Sequence, residues 1–278
     1  MVRSDLLNGH HGARRVVKYG LLPRGNDPRI PHWSALRLQP GITLPAAPAS
    51  ISYVRGIPGI GMFGNDRWGD CAFAAAAHYI QVWVWNATGK MPPITTDQVL
   101  QGYSEVTGFD RNAGPPGQNP TDRGTVLQDM LAWWFKSGFP LADGTRHKIL
   151  AYFELDPRNA ADLNLATAEC GAVLCGINVP AYLQQLEAPG SLWATQSTNT
   201  QIVGAHAITS AGYATTGDRE VETWGSTRYA MTTAFVEAEM PECYAVISDE
   251  FIKATGKTPY GIAMATWESQ MRAIRAAA

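Results

Sequence analysis

The spacing of apolar residues changes near residue 170. Before this point the periodicity predicts helices over 71–88, from about 95, over 125–136 and over 159–170. After it, apolar runs predict strands near 172–177, 203–213, 219–224, 229–236 and 243–248. Helices that precede strands in this way indicate an α+β fold with segregated halves.

The first 60 residues differ from the rest of the chain. Residues 1–60 are rich in Pro, Gly and Arg and have weak periodicity, which predicts an extended arm that lies over a body or binds a partner. We predict one catalytic-type domain over 61–278, and it divides into a helical half (about 61–170), a β half (about 171–250) and a C-terminal helix (about 263–275). Whether the arm covers a cleft or only braces the body stays open.

Composition excludes several classes of function. Hydrophobic residues make up 45% of the 278 residues, charged residues 17%, and the net charge is −2. These values are typical of a globular chain without the basic excess of a nucleic-acid or membrane-surface binder. With no visible signal segment, we expect a cytoplasmic or virion-associated protein. No cluster has metal-ligand spacing, so we expect neither a metal nor a cofactor.

Cys71 is the candidate nucleophile. It follows a turn, Gly69-Asp70, and opens the first predicted helix. Unpaired backbone N–H groups at a helix start stabilise a thiolate, which is the reactive form of cysteine. The alternative interpretation is that Cys71 is a small apolar residue that only packs.

His206 is the candidate base. It lies among small and apolar residues on a predicted strand, 135 positions after Cys71. A lone histidine in such a place is more often a hydrogen-bonded core residue. Its separation from Cys71 nevertheless fits the ~130–150 residues between a papain-type cysteine and its histidine.

Three segments over residues 60–250 resemble the papain-like cysteine protease superfamily. Gly69-Asp70-Cys71 is similar to the Gly-x-Cys of that family, and His206-Ala207 through Gly212-Tyr213 is similar to its histidine strand. Glu222-Thr223-Trp224-Gly225 resembles its Asn-Ser-Trp-Gly segment. The resemblance implies a papain-like α+β fold, with the Cys on the helical half and the His on an antiparallel β half.

The resemblance also implies roles for site residues. Asn65 takes the place of the family's oxyanion-hole glutamine, and Glu222 that of the asparagine that orients the histidine. We predict a Cys71 thiolate and His206 imidazolium pair held by Glu222. Asp70, beside the thiol, opposes thiolate formation.

Further residues are predicted to contact substrate. The resemblance places five of them near the nucleophile and the base: Gly69, Asp70, Gly124, Ala205 and Trp224. The segment Asp122-Arg123-Gly124 is predicted to pair its backbone with an extended peptide.

Three functions stay open. The first is hydrolysis of a peptide or protein substrate by a Cys-His-Glu triad. The second is a catalytically weak papain-fold protein that serves structure or binding, for example in a phage virion, with the arm contacting an assembly partner. The third is acyl transfer on the same Cys-His frame.

Overall fold

The computed structural model describes residues 18–37, 45–248, 253 and 256. Its helices are α1 (Ser34–Arg37), α2 (Cys71–Thr88), α3 (Thr96–Thr107), α4 (Leu127–Ser137), α5 (Ala160–Cys170) and α6 (Thr233–Glu239). A single 3-10 turn spans Ala181–Gln185. Among these helices, none combines the length and apolar character needed to span a bilayer.

The strands of the described residues form one large, mostly antiparallel sheet and a small hairpin. They are β1 (Ile51–Ser52), β2 (Phe139–Pro140), β3 (Arg146–His147), β4 (Ile149–Leu155), β5 (Val173–Pro180), β6 (Leu192–Trp193), β7 (Ile202–Tyr213), β8 (Arg219–Thr223), β9 (Ser226–Met231) and β10 (Glu242–Ser248). The large sheet runs in the order β4-β10-β5-β7-β8-β9-β6, with β1 on β7, and β2 pairs with β3. The predicted α+β class is confirmed.

Local sequence signals explain where the first helices begin and end. Alanines favour helix in α2, and Gly89 ends it with a left-handed φ of 69°. Thr95 and Gln98 form the predicted capping box at the start of α3.

Helix α2 lies against the sheet and fixes the geometry of the site. One hydrophobic cluster joins α2, α3 and α4 to one face of the sheet, and a second joins α5 and α6 to the other face. The Thr209 hydroxyl donates to the Ala75 carbonyl (2.7 Å), so β7 is tied to α2 near its first turn. The start of α2 and the strand that carries His206 therefore meet.

Two details of the predicted boundaries are wrong, and one lies outside the described residues. Strand β4 falls inside the segment predicted as helical, because its apolar residues pair with the distant strand β10, a contact that local periodicity does not encode. The strand predicted at 229–236 ends at Met231, where the Thr232 hydroxyl caps α6. The helix predicted at 263–275 is outside the described residues.

Candidate active site

Cys71 is the first residue of α2 and is completely buried. Asp70 occupies the N-cap position, with φ −91° and ψ 16°, but its side chain makes no capping bond. It accepts instead from the Asn65 amide (3.2 Å). Cys71 thus lies at a helix start, as predicted, while the Asp70 carboxyl points towards the loop that contains Asn65.

His206 lies in β7, buried, and two neighbours fix its ring. Its Nε2 atom lies 2.7 Å from the Thr223 hydroxyl oxygen. The Trp224 indole stacks on it, with ring centroids 4.6 Å apart and planes inclined by 20°. Within the described part of the chain, His206 Nδ1 has no hydrogen-bond partner. The ring is therefore held through Nε2, and Nδ1 is left for another proton donor.

The backbone beside His206 meets the thiol of Cys71. The N–H groups of Ala207 and Gly20 are directed at the Cys71 sulfur and favour its thiolate. Ala207 directly follows His206. The structure therefore brings the two candidate residues to one junction between α2 and β7, from positions 135 residues apart.

Burial, however, keeps both groups neutral in this arrangement. The pKa of Cys71 is raised to about 12, mainly by loss of hydration and to a smaller extent by the neighbouring Asp70. Burial lowers the pKa of His206 to about 3, with a smaller contribution from His78. While the site is covered, burial therefore disfavours the predicted thiolate–imidazolium pair, which stays a prediction.

The structure also contradicts the predicted contact between Glu222 and His206. Successive residues of a strand point to opposite faces, and Thr223 holds His206. Glu222 is paired in register with Thr209, and its carboxyl lies beside the Ala211 backbone. Burial raises its pKa well above the usual range, so this acid favours its neutral form.

Asn65 is buried and its amide has several acceptors. Its Nδ2 atom donates to the Asp70 carboxyl (3.2 Å), the Trp68 carbonyl (3.3 Å) and, weakly, the Lys18 carbonyl (3.5 Å). The last of these acceptors belongs to the N-terminal arm. The amide is therefore close to the chain that passes the nucleophile.

The residues that cover Cys71 belong to the same chain. Residues 18–25, here called the arm segment, cross the site as an extended chain. The Leu21 N–H donates to the Ala205 carbonyl (3.2 Å). Thr125 accepts from the Leu22 N–H (3.0 Å) and donates to the Gly20 carbonyl (2.9 Å) in a parallel bridge. The arm segment thus lies between the loop before α4 and the start of β7.

Gly20 crosses the site where no side chain fits. A Cβ on Gly20 would lie 2.2 Å from the Gly69 carbonyl oxygen, and one on Gly124 would lie 2.1 Å from the Gly20 oxygen. Contacts this short do not occur in proteins, so the backbones pass each other only because residues 20 and 124 are both glycine. This close approach explains why Cys71 is fully covered.

The predicted substrate contacts divide into two groups. Gly69, Gly124 and Ala205 contact the arm segment. Trp224 stacks on His206 and also packs against Tyr19 of the arm segment, with ring centroids 6.4 Å apart, whereas Asp70 is turned to Asn65. Sequence reasoning did not single out Thr223 or Gly20. Thr223 stood in the recognised Glu-Thr-Trp-Gly segment, but only the strand geometry shows that it, rather than Glu222, faces the imidazole.

No metal site accompanies this arrangement. Among the described residues, no group of three or more His, Cys, Asp or Glu side chains is placed to hold a metal ion.

Comparison with solved structures identifies the fold. Xylellain, a cysteine protease from Xylella fastidiosa, superposes with a TM-score of 0.62 at 14% identity, over 85% of this chain and 98% of that one. The chain has the papain-like fold. Procathepsin L 3 from the Tenebrio molitor larval midgut gives a TM-score of 0.52 at 12% identity, over 81% of this chain and 76% of that one.

A plant enzyme shares this papain-like fold. The Carica candamarcensis cysteine protease CMS1MS2, in complex with E-64, has a TM-score of 0.52 at 14% identity, over 72% of this chain and 99% of that one. No protein-family profile and no curated protein matches the sequence. At these identities the likeness is one of fold, so the chemistry must be argued from the residues of this chain.

Proposed function

We propose that the chain is a cysteine hydrolase of peptide bonds, with Cys71 as nucleophile and His206 as general base. The observation that carries the proposal is that a thiol at a helix start meets the strand of a histidine, whose neighbour Ala207 directs its N–H at the sulfur. The similar solved structures include cysteine proteases, which supports the same class of reaction.

The hydrogen bond of His206 assigns a role to each ring nitrogen in the proposed mechanism. If Nε2–H donates to the Thr223 hydroxyl, Nδ1 is the basic nitrogen that accepts the Cys71 proton. The sulfur then attacks the peptide carbonyl carbon, and the Asn65 amide and the Cys71 N–H stabilise the oxyanion. His206 returns the proton to the leaving amine, and water hydrolyses the thioester.

The arm segment makes the covered form inactive in this proposal. Burial accounts for most of the rise in the pKa of Cys71 and of the fall in that of His206. Displacement of the arm segment readmits water, which lowers the thiol pKa, raises the imidazole pKa and eases proton transfer. Displacement also vacates the space that a substrate needs. Hydrolysis therefore requires that residues 18–25 leave the cleft.

The test compares alkylation and hydrolysis in the full chain. Iodoacetamide alkylation of Cys71 is followed by peptide mass spectrometry from pH 5 to 9, in Gly20→Ala, which loosens the arm segment, and in Gly20→Ala/His206→Ala. Cleavage of a peptide library is measured with Gly20→Ala and with Gly20→Ala/Cys71→Ser. We expect alkylation at low pH that requires His206, and cleavage that requires Cys71. Free access to Cys71 without any His206-dependent alkylation or cleavage would overturn the proposal.

A second candidate is a peptide-binding protein that does not cut. The complete burial of Cys71 and its pKa of about 12 favour this alternative, since a thiol in that state is unreactive. It would be preferred if the loosened Gly20→Ala chain binds peptides at the cleft and leaves them intact. No observation favours the virion role or acyl transfer, so neither is proposed.

A further inference from the structure

The arm segment is held by two ion pairs, one on each side of Gly20. The Lys18 ammonium pairs with the Asp122 carboxylate, whose side chain is 1% exposed. The Arg24 guanidinium pairs with Glu154, whose side chain is 10% exposed. Both ion pairs that the structure shows between the arm segment and the body thus place the cation on the arm segment and the carboxylate on the body beneath it.

Two uncharged residues of the arm segment, Tyr19 and Leu21, also lie beside carboxyl groups. The Tyr19 hydroxyl donates to Glu187 Oε1 (2.5 Å). The Leu21 and Glu242 side chains are neighbours above Gly176. A Cβ built on Gly176 would lie 2.8 Å from Leu21 Cδ2 and 2.7 Å from Glu242 Oε1. Four acidic residues therefore lie under or beside seven consecutive arm residues.

These carboxyl groups are costly to bury without cations. Burial raises the pKa of Glu242 to about 7, while the Tyr244 hydroxyl and the Arg24 guanidinium act in the opposite direction. When the arm segment leaves, Asp122 loses the Lys18 ammonium and Glu154 loses the Arg24 guanidinium. Glu154 keeps only His32 Nε2, 3.9 Å away and charged only when protonated. A ligand that restores those charges is favoured over one that does not.

We infer that the uncovered cleft binds an extended basic peptide, with Asp122 taking a Lys or Arg side chain on one side of Cys71 and Glu154 with Glu242 taking another on the other side. The inference rests on the proposed function, because it names the substrate class of the same site. The arm segment, KYGLLPRG, is itself such a peptide. It occupies the cleft in the covered form and carries the charge pattern that we infer for the ligand.

The test uses three synthetic octapeptides and the full chain with Gly20→Ala. The peptides are KYGLLPRG, the charge-reversed EYGLLPEG and the neutral QYGLLPQG, all with blocked ends. Binding is measured as protection of Cys71 from iodoacetamide and as fluorescence anisotropy of labelled peptide. We expect the basic peptide to bind at least tenfold more tightly than the acidic one, and this preference to shrink as salt rises. Equal binding of the three peptides, or preference for the acidic one, would overturn the inference.

A charge exchange tests the inference without relying on Gly20→Ala. Alkylation of Cys71 is compared in the wild type, Arg24→Glu, Glu154→Arg and the double variant. The single variants are expected to expose Cys71 and the double variant to cover it again, because only the double variant restores the ion pair. No difference between single and double variants would contradict an electrostatic fit.

Hydrolysis is scored separately from binding in the same samples. If the basic peptide binds preferentially but no peptide is cut, the proposed hydrolase function fails and the charge preference stands. If peptides are cut without regard to charge, the hydrolase function stands and the inferred substrate class fails.

Discussion

His206 Nε2 lies 2.7 Å from the hydroxyl of Thr223, the residue that directly follows the acid predicted to hold the imidazole. The strand alternation that brings Thr223 to the ring turns Glu222 away from it. A neutral hydroxyl orients the ring but stabilises an imidazolium much less than a carboxylate would. The candidate base is thus positioned by a weaker partner than the predicted carboxylate.

Thr223→Val is expected to slow the His206-dependent alkylation of Cys71 in the Gly20→Ala background by roughly tenfold, the equivalent of one lost hydrogen bond. The conservative variant Thr223→Ser keeps the hydroxyl and should restore the rate. The pH profile separates orientation from folding, because a merely structural loss would change the rate at all pH values alike. Equal rates for Val and Ser would show that the hydroxyl does not position the ring.

The sequence predicts the elements that carry Cys71 and His206, but not the side chains that contact them. The helix start at Cys71 and the strand of His206 have strong local signals, because alanine-rich and alternating apolar patterns follow from backbone geometry. Which of two adjacent strand residues faces His206 depends on the register of β7 and β8, which shifts between Thr209 and Gly212. Local pattern does not encode such a shift.

The position of the arm segment over Cys71 also could not be predicted from the sequence. The arm segment pairs with Ala205 and Thr125 through backbone groups, which any sequence provides. Only the need for glycine at position 20 leaves a trace in the sequence, and a single glycine in a Gly-rich arm is not distinctive. A contact made by backbone atoms between distant segments is visible only in three dimensions.

Glu222→Gln is expected to make stability less dependent on pH. The folded-state pKa of Glu222 is raised well above the value of an unfolded glutamate, so the folded chain holds this proton longer than the unfolded chain. Its contribution to stability is present below about pH 4, the unfolded value, and is lost as pH rises through the raised folded value. The amide cannot ionise, so the variant should gain stability relative to wild type as pH rises.

Urea unfolding of wild type and Glu222→Gln at several pH values measures this effect. The groups that bear on the Glu222 carboxyl are Glu220 and Arg219 on its own strand, the Ala211 backbone of β7 and the Cys175 thiol of β5. Exposed Glu237→Gln, on α6, is the matched control and should leave the pH slope unchanged. A variant that loses stability with rising pH as steeply as wild type would contradict a buried, neutral Glu222.

Gly20→Ala is expected to speed alkylation of Cys71 in the full chain by at least tenfold. The added methyl would overlap the Gly69 carbonyl, so the arm segment must move away from the sulfur. Gly59→Ala is the matched control, because a Cβ there meets no atom within 4 Å. The three other cysteines, all buried, serve as internal references in the same peptide map. Unchanged reactivity of Cys71 would mean that the arm segment does not limit access to it.

Tyr103→Phe is expected to weaken the contact between the body and the arm segment, and so to expose Cys71. The Tyr103 hydroxyl donates to Asp122 (2.8 Å) and accepts from the Gly124 N–H (2.8 Å), so it fixes both the partner of Lys18 and the loop beside Gly20. Its loss leaves a buried N–H without its acceptor, which should cost about 1–3 kcal/mol in the free energy of unfolding.

Tyr53→Phe separates the effect of Tyr103→Phe on the cover from a general loss of stability. The Tyr53 hydroxyl donates to the Ala168 carbonyl (2.7 Å), buried and in a different part of the fold. Both variants should unfold at lower urea concentration, but only Tyr103→Phe should raise the alkylation rate of Cys71 under native conditions. If both raise it alike, access to the thiol follows global opening of the chain. If only Tyr103→Phe does, access is controlled locally, by the contact of Asp122 and Gly124 with the arm segment.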